Sequence, residues 1–288
     1  MIPNILHFVW IQGATSRYPG YGEYLSVMSA LKNTTYDIYY HTNLVTTGGA
    51  AYDPTKIVHP RFHLKQHFMP DVVQGVKCRL SLMSDIWRYK VLLEHGGIYS
   101  DLDIIWFKNL EPGYIPPGPI FLTAYENPSY KTIASAFLAA EPNFTPIQGL
   151  LEQFENILRG LAARGITDIT VEPPSGLSRY HTLLWKPSGE FCKEHASLIL
   201  GKEAFCKNGW RRIGRCLRRA GVPLRPVVEV EALGDTNDRL QFNGITGFHY
   251  YATLFSIEQL LELPDFKEQL APIVDYAATF PVTVTATA

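Results

Sequence analysis

Asp101 and Asp103 stand two apart in the run IYSDLDII, Ile98 to Ile105. Alternate side chains of an extended segment share one face, so this spacing predicts both carboxylates on the same side of a sheet. Two carboxylates so placed repel each other unless a cation lies near them. Hard divalent ions, Mg²⁺ or Mn²⁺, take such oxygen ligands and keep positions open for phosphate oxygens. Upstream, Asp85 and Arg88 sit three apart in a helical pattern, which lets both reach one common space. A D-x-D triplet also arises by chance as an acidic turn that binds nothing. Its place at the end of a strand gives it weight, because open α/β sheets bind ligands outside their carboxyl edge.

The elements that must hold these residues are readable from apolar periodicity. Ile5 to Ile11 is a nearly unbroken apolar run ending at Gly13, as a strand buried on both faces requires. Tyr24, Val27, Met28 and Leu31 follow at helical spacing, and Tyr36 to Tyr40 reads as a second strand. This βαβ opening predicts a parallel sheet. Cys78 to His95 is a helix with the stripe Leu82, Ile86, Tyr89 and Leu93, stopped by Gly96-Gly97. A strand is expected from Ile98 through the acidic pair to Phe107. Further on, the pattern predicts a strand at Ile120 to Tyr125 and helices at Thr132 to Ala140 and Gln148 to Arg164. Cys192 to Arg219 reads as mostly helical, and Val227 to Val230 as a strand. A last helix starts at Ser256, where Ser-x-x-Gln makes a capping box, and stops at Pro264. Residues 1–275 are read as one domain and residues 276–288, uncharged and rich in Thr and Ala after Tyr276, as a loose tail.

Composition narrows the function classes. Of 288 residues, 46% are hydrophobic and 18% charged, which supplies a core and argues against disorder. The formal charge of -1 lacks the basic excess that phosphate neutralisation demands, so no nucleic-acid partner is expected. The cysteines Cys78, Cys192, Cys206 and Cys216 form no C-x-x-C pair, which disfavours a zinc or redox site. No apolar run approaches the ~20 residues of a membrane span. A soluble, cytoplasmic protein is expected, lumenal only as part of a longer precursor. Between Lys202 and Arg219 seven basic residues face one acid, Glu203. Segment 202–219 reads first as a solvated helix face and second as a peripheral contact for anionic membrane.

The run SLMSDIWRYKVLLEHGGIYSDLDI, with the opening IPNILHFVWIQG, resembles the D-x-D glycosyltransferases. That family includes yeast Golgi mannosyltransferases, bacterial capsular sugar transferases and the catalytic domains of large clostridial glucosylating toxins. The resemblance implies an α/β, single-domain, Rossmann-like nucleotide-sugar transferase fold of the GT-A type, with a mixed central sheet and helical additions. It matches Trp10 to the aromatic that stacks on the donor nucleobase, and Asp85 and Arg88 to helix residues holding the donor's ribose and sugar. Tyr99 corresponds to an aromatic beside the donor, Asp101 to the carboxylate on ribose or sugar, and Asp103 to the direct metal ligand. A further metal or phosphate contact falls on His249. There the segment GFHYYATLF has Thr253 and Phe255 where the family has Ser and Trp. Glu126, Asn127 and the loop containing Gly176 fall where the family meets donor sugar and acceptor.

The resemblance thus implies a metal-dependent enzyme, using Mn²⁺ or Mg²⁺. It would move a sugar from a UDP- or GDP-linked donor to a glycan, lipid-linked or protein acceptor, with retention of configuration. Loss of the diphosphate puts positive charge on the sugar ring and negative charge on the leaving group. A cation and a fixed guanidinium such as that of Arg88 suit the latter. Two alternatives remain at this stage. One is a phosphohydrolase of the haloacid-dehalogenase type, using Asp101-Leu102-Asp103 as nucleophile motif and Gly234-Asp235-Thr236-Asn237-Asp238 as its downstream acids. The other is a sugar-binding protein without turnover.

Overall fold

In the computed structural model, residues 1–13, 18–43, 52–110, 121–127, 132–170, 181–196, 198–200, 209–224, 239–242, 245–250, 252 and 254–280 are described. Strand β1 (Ile5–Trp10) leads through helix α1 (Tyr21–Asn33) to β2 (Asp37–Thr42) and then β3 (Phe62–Gln66). A small hairpin, β4 (Val72–Val73) and β5 (Val76–Lys77), precedes α2 (Leu80–His95), β6 (Gly97–Ser100) and β7 (Ile104–Trp106). Then come β8 (Phe121–Asn127), β9 (Thr132–Ala140), α3 (Thr145–Ala163), α4 (His181–His195), β10 (Leu198–Leu200) and α5 (Gly209–Arg219). The chain continues with β11 (Gly247–His249), α6 (Ile257–Leu261) and α7 (Pro264–Ala278).

The main sheet has the order β10-β8-β9-β6-β1-β2-β3, and β9 alone of these seven runs against the others. The fold is therefore the expected α/β architecture with a mixed central sheet. The chain builds outward from β1 through β2 to β3, then returns to the other side of β1 with β6. This leaves a topological switch point between β1 and β6, where a parallel sheet opens a crevice at its carboxyl ends. Residues Leu6 and Phe8 enter one core with α1, α6 and α7, whereas Val9 faces the other beneath α2 and α3. That two-sided burial explains the unbroken apolar run of β1.

Three expectations change. Thr132 to Ala140 is strand β9 and not a helix, although its alanines favour helix intrinsically. The segment is sandwiched between β6 and β8, with Phe137 and Ala139 in one core and Leu138 and Ala140 in the other. Packing from both sides overrides propensity. The region from Cys192 to Arg219 is interrupted by β10, and its helices are α4 and α5. Residues 276–278 are not loose: Tyr24 Oη donates to Ala277 O at 2.9 Å and Ala277 is buried, so α7 belongs to the folded body through its end. The strand expected at Val227 to Val230 lies outside the described residues. The capping box at Ser256 is present, and Pro264 opens α7.

Beside the C-terminal half of α2, one sheet face carries a ladder of imidazoles that periodicity alone did not reveal. His7 Nε2 lies 2.7 Å from Gly96 O, and a carbonyl can only accept, so the His7 proton sits on Nε2. Its Nδ1 then accepts from His41 Nε2 at 2.8 Å, and His41 Nδ1 accepts from His67 Nε2 at 2.8 Å. Burial, opposed in His7 by the Gly96 bond and reinforced by His95 and Lys65, pushes His7 down to about 3. Burial and the neighbouring imidazoles push His41 down to about 2.

Candidate active site

The acidic pair does not lie in a strand. After Ser100 the chain leaves the main sheet in a turn in which Ile104 N donates to Asp101 O at 3.3 Å. It then pairs as β7 with β11, antiparallel. The expected strand from Ile98 to Phe107 is thus two strands in different sheets. Side-chain alternation is not what unites the carboxylates; the turn carries both past the carboxyl edge of β6. Gly97 permits the exit from α2 into β6: its φ is +92°, and a Cβ there would stand 2.7 Å from Ile5 O.

Asp101 and Asp103 line one cavity of about 300 Å³ together with Trp10, Tyr99, Leu80 and Ser84. It sits at the switch point, at the ends of β1 and β6. Trp10 closes β1 half-buried, its Nε1 donating to Gln12 Oε1 at 3.0 Å. On α2, Arg88 is buried and its Nη2 lies 2.7 Å from Asp85 Oδ1 and 3.5 Å from Asp101 Oδ1. The guanidinium also stands over the Tyr99 ring, 4.9 Å from its centroid. Burial opposes the charge of Arg88, but Tyr99, Asp101 and Asp85 hold it above its ordinary value. Burial pushes the Tyr99 hydroxyl well up, so it stays protonated and donates to Asp101 Oδ1. The i, i+3 spacing on α2 and the turn thus deliver one hydrogen-bonded group: Asp85, Arg88, Tyr99 and Asp101.

Asp103 belongs to a second group. Its Oδ2 accepts from Ala252 N at 2.9 Å, and its Oδ1 lies 3.3 Å from His249 Nε2 on β11. Burial raises Asp103, yet His249 and the Ala252 N–H outweigh it and hold the carboxyl below its usual range. The Oδ1 atom is buried without a hydrogen bond. Such an oxygen is costly unless something else satisfies it. Among the described residues no group of three His, Cys, Asp or Glu side chains closes a metal cage. A single carboxylate suits a hard ion that completes its shell with water and substrate phosphates, and the neighbouring imidazole suits Mn²⁺ better than Mg²⁺.

The structure brings together Trp10, Asp85, Arg88, Tyr99, Asp101, Asp103 and His249. Glu126 and Asn127 fall at the end of β8, their side chains outside the described residues, and Gly176 lies outside them altogether. So do Lys202, Lys207 and the acids of Gly234 to Asp238. The visible part of the basic segment, α5, buries Ile213, Cys216 and Leu217 and leaves Arg218 and Arg219 exposed. No helix among the described residues is long and apolar enough to cross a membrane. Sequence reasoning missed Glu23, a buried acid on the cavity wall whose Oε2 accepts from Gly20 N at 2.8 Å. Its signal was faint: a lone charge among the first ten residues of α1.

Residues 16–119, which span the S-D-x-x-R helix and the acidic turn, match a family model described as a glycosyltransferase sugar-binding region containing DXD motif. An uncharacterized glycosyltransferase of Acanthamoeba polyphaga mimivirus is 33% identical over 132 residues, 44% of each chain. The chain thus aligns with less than half the length of that relative. The PaToxG glycosyltransferase structure covers 67% of this chain and 68% of its own at 18% identity, with a TM-score of 0.45. The matched region, residues 16–119, thus resembles the sugar-binding region of the DXD-containing glycosyltransferases, and it carries the helix and turn that line the cavity.

Proposed function

We propose that this chain transfers a sugar from a nucleoside diphosphate donor to an acceptor hydroxyl, with Mn²⁺ or Mg²⁺ held by Asp103 and His249. The observation that carries the reading is the buried Oδ1 of Asp103, 3.3 Å from His249 Nε2, on a residue that lines the same cavity as Trp10 and Asp101. A bound divalent ion would supply charge neutralisation for the departing diphosphate. Trp10 offers an indole face at the mouth for the nucleobase. The Tyr99 hydroxyl and Arg88 fix Asp101 so that its remaining oxygen can accept bonds from ribose or sugar hydroxyls. Arg88, kept charged by its three neighbours, adds positive potential near the anionic donor. The apolar lining from Val9, Ile11 and Leu80 limits water, which protects the donor from hydrolysis. Retention of configuration rests on the family likeness.

As a phosphohydrolase the chain would need Asp101 as a free nucleophile. One of its oxygens is instead taken by Tyr99 and neighboured by Arg88. The test is thermal unfolding with Mn²⁺ and a panel of UDP- and GDP-sugars. A binding donor at about one hundred times its Kd should stabilise the protein by about 3 kcal/mol. Asp103→Ala should abolish the metal-dependent part of that gain. Undiminished donor stabilisation in the variant, or phosphate release from sugar phosphates by the wild type, would refute the reading.

A further inference from the structure

Trp10 is tied down by side chains just beyond the ends of β1 and β2. Its Nε1 meets the Gln12 side-chain amide at 3.0 Å. An indole N–H can only donate, so the amide atom it meets is the oxygen, Oε1. The amide nitrogen of Gln12 then faces Gly13 O, an acceptor, at 3.2 Å. The backbone of Gln12 is fixed as well: its N–H donates to Asn43 Oδ1 at 2.7 Å, and its C=O accepts from Asn43 Nδ2 at 3.0 Å. Asn43 directly follows Thr42, the last residue of β2 and the partner of Trp10 in the parallel register. A primary amide offers an acceptor and a donor as a peptide group does, so Asn43 carries the β1–β2 ladder on to Gln12. Trp10 itself packs against the core beneath α1 and lines the cavity with Asp101. Gln12 is not among the described residues lining that cavity, so its effect on a donor passes through Trp10.

We infer that Gln12 is a positioning residue for the donor: it makes Trp10 a fixed platform that takes the nucleobase by its ring face alone. The inference rests on the donor reading given under Proposed function. The single hydrogen-bond donor of the indole is used on Gln12, so the ring has none to offer a base. Stacking on an aromatic face tolerates any base, because every base has a π-face. The platform therefore serves uracil and guanine alike, and Trp10 does not choose between UDP and GDP donors. Holding the ring before the donor arrives also removes the cost of ordering it on binding, which is how preorganisation raises affinity.

Gln12→Leu is the informative variant, because it removes the acceptor oxygen and leaves the backbone bonds to Asn43 in place. With Mn²⁺ present, calorimetry should show UDP and GDP weakened by the same factor, about three- to tenfold, as lost preorganisation of one side chain predicts. In a Trp10→Phe background, which has no N–H to hold, Gln12→Leu should change either affinity by less than about twofold. Fluorine NMR of protein carrying fluorotryptophan reads the ring with no nucleotide added. The chain has five tryptophans, and the signal missing from Trp10→Phe identifies Trp10. That signal should be single and narrow in the wild type and broadened or split in Gln12→Leu. It should be narrow again in Gln12→Glu, which keeps an acceptor oxygen. An unaltered Trp10 signal in Gln12→Leu, an equal loss of affinity in the Trp10→Phe background, or a loss confined to one nucleotide would overturn the assignment. If neither nucleotide binds the wild type, the donor reading fails, while the fluorine signal still decides whether Gln12 holds the indole.

Discussion

Lowering the pH from 6 to 5 should weaken the fold steeply, because His7 and His41 are both fully buried and both held neutral. Their folded values, about 3 and about 2, lie far below the 6.5 of an unfolded histidine. The unfolded chain therefore binds more protons in this window. The contribution is whole above pH 6.5 and is lost as pH falls below it. Linkage gives a loss of about 1 kcal/mol per ring between pH 6 and 5, hence about 2 kcal/mol for the pair. Against a typical total of roughly 5–15 kcal/mol this is large. The groups facing the two rings are Lys65, His67, His95 and Tyr39, none of which offers a buried anion to rescue a protonated imidazole. The interval also lies above the range in which surface carboxylates titrate. Urea unfolding at pH 7, 6, 5.5 and 5, followed by circular dichroism, measures the slope. His41→Asn should lower stability at pH 7 and flatten the slope between pH 6 and 5 by about half. A wild-type loss below about 0.5 kcal/mol across that interval, or a slope unchanged in the variant, would refute the tautomer ladder and the neutrality of its inner rings.

Other perturbations test separate parts of the site. Trp10→Ala should weaken nucleotide binding by about 1–3 kcal/mol for every sugar tested, as loss of base stacking would; calorimetry showing a deficit for one sugar alone would exclude that role. Arg88→Ala leaves Asp85 and Asp101 facing each other without their shared cation and should cost about 3–5 kcal/mol in denaturant unfolding. Gly22→Ala should destabilise by about 1–3 kcal/mol through overpacking against Tyr250. Adding Tyr250→Phe should recover part of that loss, read as a non-additive double-mutant cycle.

The opening of the fold was legible because β1, α1, β2 and α2 bury whole faces and their periodicities are undiluted. Gly96-Gly97 marked the end of α2 for a local reason, the positive φ of both residues. β9 was misread because its evidence is not local. An alanine-rich segment becomes a strand only when two neighbours hydrogen-bond to it and both of its faces are buried in cores. Asp85, Arg88, Tyr99 and Asp101 were legible as a set because one helix, one glycine pair and one turn position them within a short stretch. Asp103's partners come from far along the chain, and only the family resemblance pointed to His249. Glu23 and the imidazole ladder had no such help.

The misassigned strand matters most for how the site works. In a strand, Asp101 and Asp103 would share one face and one environment and would compete for one cation. In the turn they share a cavity but have different partners. Asp101 is committed to Tyr99 and Arg88, while Asp103 is tied to Ala252 and leaves one buried oxygen beside His249. On the reading proposed above, the neighbours separate the two carboxylates in role, Asp101 for hydroxyls and Asp103 for a cation. Exchanging their identities should therefore not be symmetric. Asp101→Asn keeps an oxygen for Tyr99 and should reduce donor affinity while the dependence on Mn²⁺ remains. Asp103→Asn should remove the Mn²⁺ dependence itself. Equal loss of Mn²⁺ response in both variants would mean that the pair acts as one ligand set after all, and the division drawn from the turn would be wrong.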